Sequence, residues 1–344
     1  LQATQAVSGD LVRRARHVWV AVLQRPTVQC GFDYQWRHSG AAYARCAKSP
    51  FHGPLPSWRY VKVVEVEVTI PEAVSYPGAR RPDRHRWVSS FGVKLASCEW
   101  GDEDAPPLFL VHGGSDFAGT FDGFAPLLAD AGWRVISWDH RGHGDSDHAA
   151  LYSWDADVRD ALAVLDSVTP DAVPVAAHSK GGGMMLQLAE ALPRRMSKLV
   201  VIDGLPSPDP HPDVSDHEEH ALNAKNLSAW LDHRRTAASL HRKPGTLDEL
   251  SKRRKRMNPR LDDNWLRYLV TVGARHDPDG WRWKLDPAIR MGGFGPWQPS
   301  WSLSRMKSLE IPLMGLTATV EEEMGWGTKH EQLLPYLPTG ARLI

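Results

Sequence analysis

Cysteine is scarce in this sequence: Cys30, Cys46 and Cys98 are the only three in 344 residues. No two of them form a C-x-x-C pair, so neither a disulfide framework nor a thiolate zinc site is expected. An excess of either charge is missing too, because 41 basic residues balance 41 acidic ones. That leaves no global field to gather nucleic acid or an anionic membrane surface. No apolar run reaches the roughly 18 residues that a membrane-spanning helix needs. Arg13-Arg14-Ala15-Arg16 precedes the apolar stretch 18–23, but the stretch is short and no small-residue cleavage site follows it. A cytoplasmic protein without nucleic-acid or membrane partners is therefore expected. Metal and dinucleotide motifs are absent as well. His217 and His220 flank two glutamates at a spacing that is not H-E-x-x-H, and Gly181-Gly182-Gly183 is not G-x-G-x-x-G. The ligand-rich run from His211 to His220 reads as a wet linker, so no metal and no cofactor is expected.

What is present centres on Val173-Pro174-Val175-Ala176-Ala177-His178-Ser179-Lys180-Gly181-Gly182-Gly183. It begins as a short apolar strand and passes into Met184–Leu192, which has helix-forming composition and stops at Pro193. Ser179 sits on the sharp turn between them, among residues small enough for strand and helix backbones to approach. A hydroxyl there stands at a helix N-terminus, where unpaired N–H groups favour negative charge.

The surrounding pattern alternates strands with helices. Residues 87–100 read as two strands joined through Gly92. Pro107–Val111 is a buried strand running into His112-Gly113-Gly114-Ser115-Asp116, and Thr120 is positioned to cap a helix bearing Phe121, Phe124, Leu127 and Leu128. Arg134–Trp138 is the next strand and runs into Asp139-His140-Arg141-Gly142-His143-Gly144-Asp145-Ser146. Ser153 caps a helix with Asp155 and Asp157 in its first turn, and Lys198–Asp203 is a further strand. Such alternation specifies a mostly parallel sheet covered on both faces. Ile311–Leu316 reads as a strand, 331–336 as a helix, and 341–344 as the start of one more strand. Residues 1–84 show only one clear strand pattern, the alternation at 64–70.

Three of these turns together resemble the α/β-hydrolase superfamily. Ala177-His178-Ser179-Lys180-Gly181 resembles its nucleophile elbow, G-x-S-x-G, with alanine in place of the first glycine. His112-Gly113-Gly114 and Asp139 through Ser146 match the turns that the family carries after its third and fourth strands. The resemblance covers roughly residues 86–203 and resumes near 310. It implies a doubly wound α/β core at 85–203 and 301–344, a helical cap inserted at 204–300 after the sixth strand, and a poorly defined N-terminal extension at 1–84.

The same resemblance assigns roles. Ser179 is the nucleophile, and the backbone N–H groups of Gly114 and Lys180 form the oxyanion hole. The orienting acid is expected after the strand at 311–316, at Glu321, with Glu322 next to it and Asp203 as the alternative location. The histidine is expected beyond Ile344, in a loop after one more strand. The chain is thus expected to be truncated and to turn over slowly, since losing the base of a serine triad costs about a million-fold. His178 and His112 are read as structural, as are Trp265, Trp281, Trp283, Trp297 and Trp301, and Arg253-Arg254-Lys255-Arg256 as a solvated helix face. The expected activity is cleavage of a carboxylic ester or related acyl bond in a small molecule. The alternatives are serine-dependent C–C hydrolysis and a non-catalytic ligand-binding protein of the same fold. Nothing in the sequence sets the oligomeric state.

Overall fold

Apolar runs closed by turn residues become strands, and in the computed structural model of the protein eight of them align in one sheet. The structure describes residues 75–150, 152–206, 224–237, 239–289, 299–318 and 328–344, all within one compact unit, Val61–Ile344. The strands in chain order are β1 (Arg84–Ser90), β2 (Val93–Trp100), β3 (Pro107–Val111), β4 (Arg134–Trp138), β5 (Val173–His178), β6 (Met196–Ile202), β7 (Ala274–Asp277), β8 (Gly280–Trp283), β9 (Leu313–Leu316) and β10 (Arg342–Leu343). β7 and β8 form a separate hairpin. The large sheet runs β1-β2-β4-β3-β5-β6-β9-β10. β2 is antiparallel to both its neighbours and every other pair is parallel.

This order locates the site before any side chain is considered. From β3 the chain moves to β4 on one side, then returns to place β5 on the other. Crevices at the carboxyl ends of strands that flank such a reversal are where open α/β sheets bind ligands. Here those ends carry His112 and Ser179. The expected alternation is present, and the strand pattern at 64–70 lies outside the described residues.

Helices cover the sheet: α1 (Ala125–Ala129), α2 (Trp154–Val168), α3 (Lys180–Ala191), α4 (Ala224–Ala237), α5 (Leu247–Met257), α6 (Asp263–Gly273), α7 (Pro299–Met306) and α8 (His330–Leu333). Ser153 caps α2, its side chain accepting the Ala156 N–H, with Asp155 and Asp157 in the first turn. α2 packs on α3, and its Ala161, Val164 and Leu165 are fully buried in the core. One apolar cluster lies on the sheet face that carries Leu95, Phe109 and Leu199 and extends to Met184 and Leu333, while Leu108, Leu110, Val135 and Val200 are buried on the other face. No helix among the described residues is long and apolar enough to cross a membrane.

One local expectation is corrected. Thr120 does not cap a helix: Ala118–Phe121 is a single 3-10 turn, and α1 starts after Phe124 without a side-chain cap. Pro126 is the reason, because a helix continuing from Thr120 needs the N–H that proline lacks. Residues 75–83 lie against the core. The Arg80 N–H donates to the Asp122 carbonyl at 2.9 Å, the Trp100 indole donates to the Arg80 carbonyl at 3.0 Å, and Arg81 pairs with buried Asp122 at 2.6 Å.

Candidate active site

Ser179 links β5 to α3 at φ 49°, ψ −122°, a backbone conformation that L residues rarely adopt. Such strain costs on the order of 1–3 kcal/mol and persists only where the surroundings enforce it. The enforcement is visible on every side. The Ser179 N–H donates to the Ile202 carbonyl at 3.0 Å, and its own carbonyl accepts Gly182 N–H at 2.8 Å. Ala177 is fully buried, paired with Val111 of β3 and Val201 of β6. Gly204 lies so close beneath the turn that a Cβ there would overlap the Ser179 carbonyl oxygen and sit 2.8 Å from its Cα. The hydroxyl is therefore lifted from the sheet at the opening of α3, whose first residue is Lys180. First-turn N–H groups of a helix have no carbonyl one turn back, and they favour negative charge in front of them.

The turn after β3 comes alongside. A Cβ on Gly113 would lie 3.1 Å from Ser179 Cβ and 2.9 Å from His178 Nδ1. Only a glycine lets the two turns approach this closely. His178, read as structural, thus faces the Gly113 turn.

Three buried imidazoles set the shape of that turn. His112 Nε2 accepts the His140 N–H at 3.1 Å, so its proton is on Nδ1, which donates to the Gly113 carbonyl at 2.7 Å. A trans peptide directs its C=O and the following N–H to opposite sides. Binding the Gly113 oxygen inward therefore turns the Gly114 N–H away from the buried ring. His140 Nε2 donates to the His112 carbonyl at 3.0 Å. His143 Nδ1 donates to the Arg141 carbonyl at 3.0 Å, and its Nε2 accepts the Ser115 N–H at 3.2 Å. Ser115, like Ser179, has positive φ, 58°. Burial holds all three rings neutral. His112 lies well below the ordinary imidazole range, through desolvation and then its two histidine neighbours. Desolvation and then the Lys180 cation push His140 well down and His143 to about 3.

The turn after β4 explains the rest of its motif. Asp139 accepts Ala118 and Asp145 N–H groups at 2.7 Å each, while desolvation and then the Asp145 charge push its carboxyl up to about 7. Ser146 Oγ donates to the Asp139 carbonyl at 2.6 Å and accepts Ala96 N–H at 2.8 Å. Arg141 meets Asp160 with two bonds of 2.7 Å. At the elbow, the Lys180 ammonium pairs with buried Asp157 of α2 at 2.7 Å. Asp160 carries no sequence signal beyond its acidic character, and Asp157 none beyond its place in the first turn of α2.

The segment between β6 and α7 docks on both turns. The Gly144 N–H donates to the Lys284 carbonyl and the Asp286 N–H to the Gly142 carbonyl, each at 2.8 Å, and Lys284 Nζ pairs with Asp145 at 2.7 Å. The basic run on α5 is not the solvated face expected of it. Arg253 donates to the carbonyls of Lys243 and Pro244, Arg254 to Ser115, and Lys255 to Leu261. Trp265 stacks on Tyr268, and Trp283 packs edge-on against Phe117. Trp297 lies outside the described residues.

Glu321 and Glu322 also lie outside the described residues, as do His211 and His217 through His220. Asp203 is described: it is exposed at the end of β6, has φ 46°, and donates its N–H to the Leu316 carbonyl at 2.7 Å. Among the described residues none forms a hydrogen bond with the Ser179 hydroxyl, and no group of three or more His, Cys, Asp or Glu could hold a metal.

A strained serine at the reversal of a doubly wound parallel sheet, against a glycine turn after β3, is the architecture of an α/β hydrolase. Comparison agrees: residues 106–268 match the family described as alpha/beta hydrolase fold. A serine hydrolase-like protein of Dictyostelium discoideum is 32% identical over 117 residues, 33% of this chain and 32% of that protein. A non-heme chloroperoxidase of Streptomyces lividans is 29% identical over 156 residues, 42% of this chain and 56% of that protein. The match thus spans about a third to just over half of these curated relatives. In structure, the thioesterase domain from the curacin biosynthetic pathway superposes with TM-score 0.65 at 20% identity, covering 76% of this chain and 90% of that one. The chain carries the alpha/beta hydrolase fold, and residues 106–268 are similar to that family.

Proposed function

We propose that the protein is a serine hydrolase acting on a small-molecule carboxylic ester or related acyl bond. Ser179 Oγ adds to the carbonyl carbon while its proton passes to a base, and the displaced π electrons collect on the carbonyl oxygen. The N–H groups of Gly114 and Lys180 receive that oxyanion, each donor being worth about 3 kcal/mol in the transition state. Collapse expels the alcohol, which takes up the proton, and water then cleaves the acyl-serine by the same two steps. The observation that carries this reading is the strained Ser179 pressed against Gly113 at the mouth of α3. The names of a serine hydrolase-like relative and of a thioesterase-like fold support acyl chemistry. The segment at 204–300 serves as the cap, since its residues 284–286 and Arg254 reach the turns that border the crevice.

The acid is assigned to Glu321, after β9. Asp203 is the second reading, favoured by its positive φ beside Gly204, which itself touches Ser179. The acid is the residue whose amide variant, E321Q or D203N, slows acylation. No base is assigned among the described residues of the protein. Added imidazole, a diffusible base, should raise its rate on p-nitrophenyl acetate and leave S179A at background. A rate that imidazole raises equally in both proteins contradicts the proposal and favours a non-catalytic receptor.

A further inference from the structure

Ser115 follows the proposed oxyanion glycine, and two residues of the inserted segment converge on its carbonyl. Arg254 Nη1 of α5 donates to it at 3.1 Å and Trp283 Nε1 of β8 at 3.3 Å. A second guanidinium nitrogen, Nη2, lies 3.3 Å from Asp116 Oδ1, and the guanidinium carbon stands 5.1 Å from the Trp283 ring centroid. Trp283 is fixed in turn. Its ring meets Phe117 edge-on at 5.4 Å between centroids, and Gly273 is so close that a Cβ there would lie 2.7 Å from the indole.

The position of this carbonyl matters. The Ser115 N–H is bound by His143 Nε2 and the Gly113 carbonyl by His112 Nδ1, so the core fixes the peptide planes on either side of Gly114. Ser115 nonetheless has φ 58°, a conformation that relaxes unless its far side is held. Among the described residues, the Ser115 carbonyl accepts from residues 139 and 168 positions away in sequence. Asp116 lies beside the Arg254 charge and offsets it, so the pair acts through geometry more than through its field.

We propose that Arg254 and Trp283 are positioning residues that lock the oxyanion turn from the inserted segment, so that the hole is formed only when that segment is docked. The proposal rests on the serine-hydrolase reading above. Loss of the clamp leaves the substrate pocket in place but lets the Gly114 N–H drift. A displacement near 1 Å costs about a hundred-fold in a positioned reaction.

The test is single-turnover acylation by p-nitrophenyl butyrate with imidazole present, resolved into an acylation rate and an apparent binding constant. It uses wild type, R254M, R254K, W283F and S179A, with hydrogen exchange measured on the peptide covering 112–118. R254M is expected to acylate about ten- to a hundred-fold more slowly, with binding unchanged and faster exchange in the peptide. R254K should recover part of the rate, and W283F, which keeps the ring but not the N–H, should lose less. The conservative pair keeps the test valid if R254M fails to fold. Unchanged acylation and exchange in R254K and W283F overturn the clamp alone. Weakened binding at an unchanged rate also overturns it, because Arg254 then contacts substrate. A wild type that acylates no faster than S179A overturns the underlying reading, and the clamp with it.

Discussion

Two turns meet at the crevice between β3 and β5, and each holds a serine at positive φ, Ser179 at 49° and Ser115 at 58°. They are secured in different ways. The elbow is held by steric closeness: Ala177 without exposure, Gly204 beneath the carbonyl, β3 and β6 on either side. The turn after β3 is held by side chains that donate and accept at fixed points: His112, His140 and His143 from the core, Arg254 and Trp283 from the inserted segment. The elbow's own small residues and the three histidines lie within the short turns that the sequence displays. Gly204 beneath the elbow, and Arg254 and Trp283 behind Ser115, come from far along the chain and leave no motif.

The comparison breaks most completely at the hydroxyl itself. S179A should abolish acylation, leaving turnover at the level of the uncatalysed reaction, without changing the urea midpoint appreciably, because the Ser179 hydroxyl forms no hydrogen bond among the described residues. Equal burst amplitudes in S179A and wild type contradict this.

Steric enforcement predicts a stability cost. The methyl of G204A has to displace backbone rather than a flexible side chain, so chemical denaturation should show a loss of about 1–3 kcal/mol, the usual range for overpacking. A G204A protein as stable as wild type would mean that the elbow yields more readily than its contacts imply.

Polar enforcement predicts acid sensitivity. His112, His140 and His143 are held neutral in the fold, His143 down to about 3, while in the unfolded chain they protonate near 6.5. Their contribution is therefore present above pH 6.5 and is lost as pH falls below it. Asp139, raised to about 7, has the opposite sign: the folded state takes its proton first, and stability is regained as pH falls through 7. The three imidazoles, which must stay neutral in the fold, act against the raised carboxyl of Asp139, and stability is expected to fall as pH drops below 6.5. Unfolding curves that do not change from pH 7 to 5 are incompatible with this network. The smallest effect is at the cap of α2, where S153A should cost about 1 kcal/mol in the same assay.

The same contrast accounts for what could be read from the sequence. The strands of the large sheet, the cap at Ser153 and the three turns are each encoded among neighbouring residues, so periodicity and small-residue spacing reveal them, whereas the hairpin of β7 and β8 has no such pattern. Thr120 was misleading because it suits a helix cap, whereas Pro126 decides where the helix starts. The basic run on α5 looked solvated because charge clusters usually are. Its carbonyl acceptors, Ser115, Lys243, Pro244 and Leu261, have no side-chain signature at all. Lys180 announced itself only as the residue after the serine, and its partner Asp157 only as a first-turn acid.

Peptide mapping after exposure to a fluorophosphonate addresses the central claim most directly. A single phosphonyl adduct on Ser179, formed faster with added imidazole and missing in S179A, is the predicted result. Modification of other residues alone, or no adduct at Ser179 even with imidazole present, would contradict a hydroxyl poised between two N–H donors.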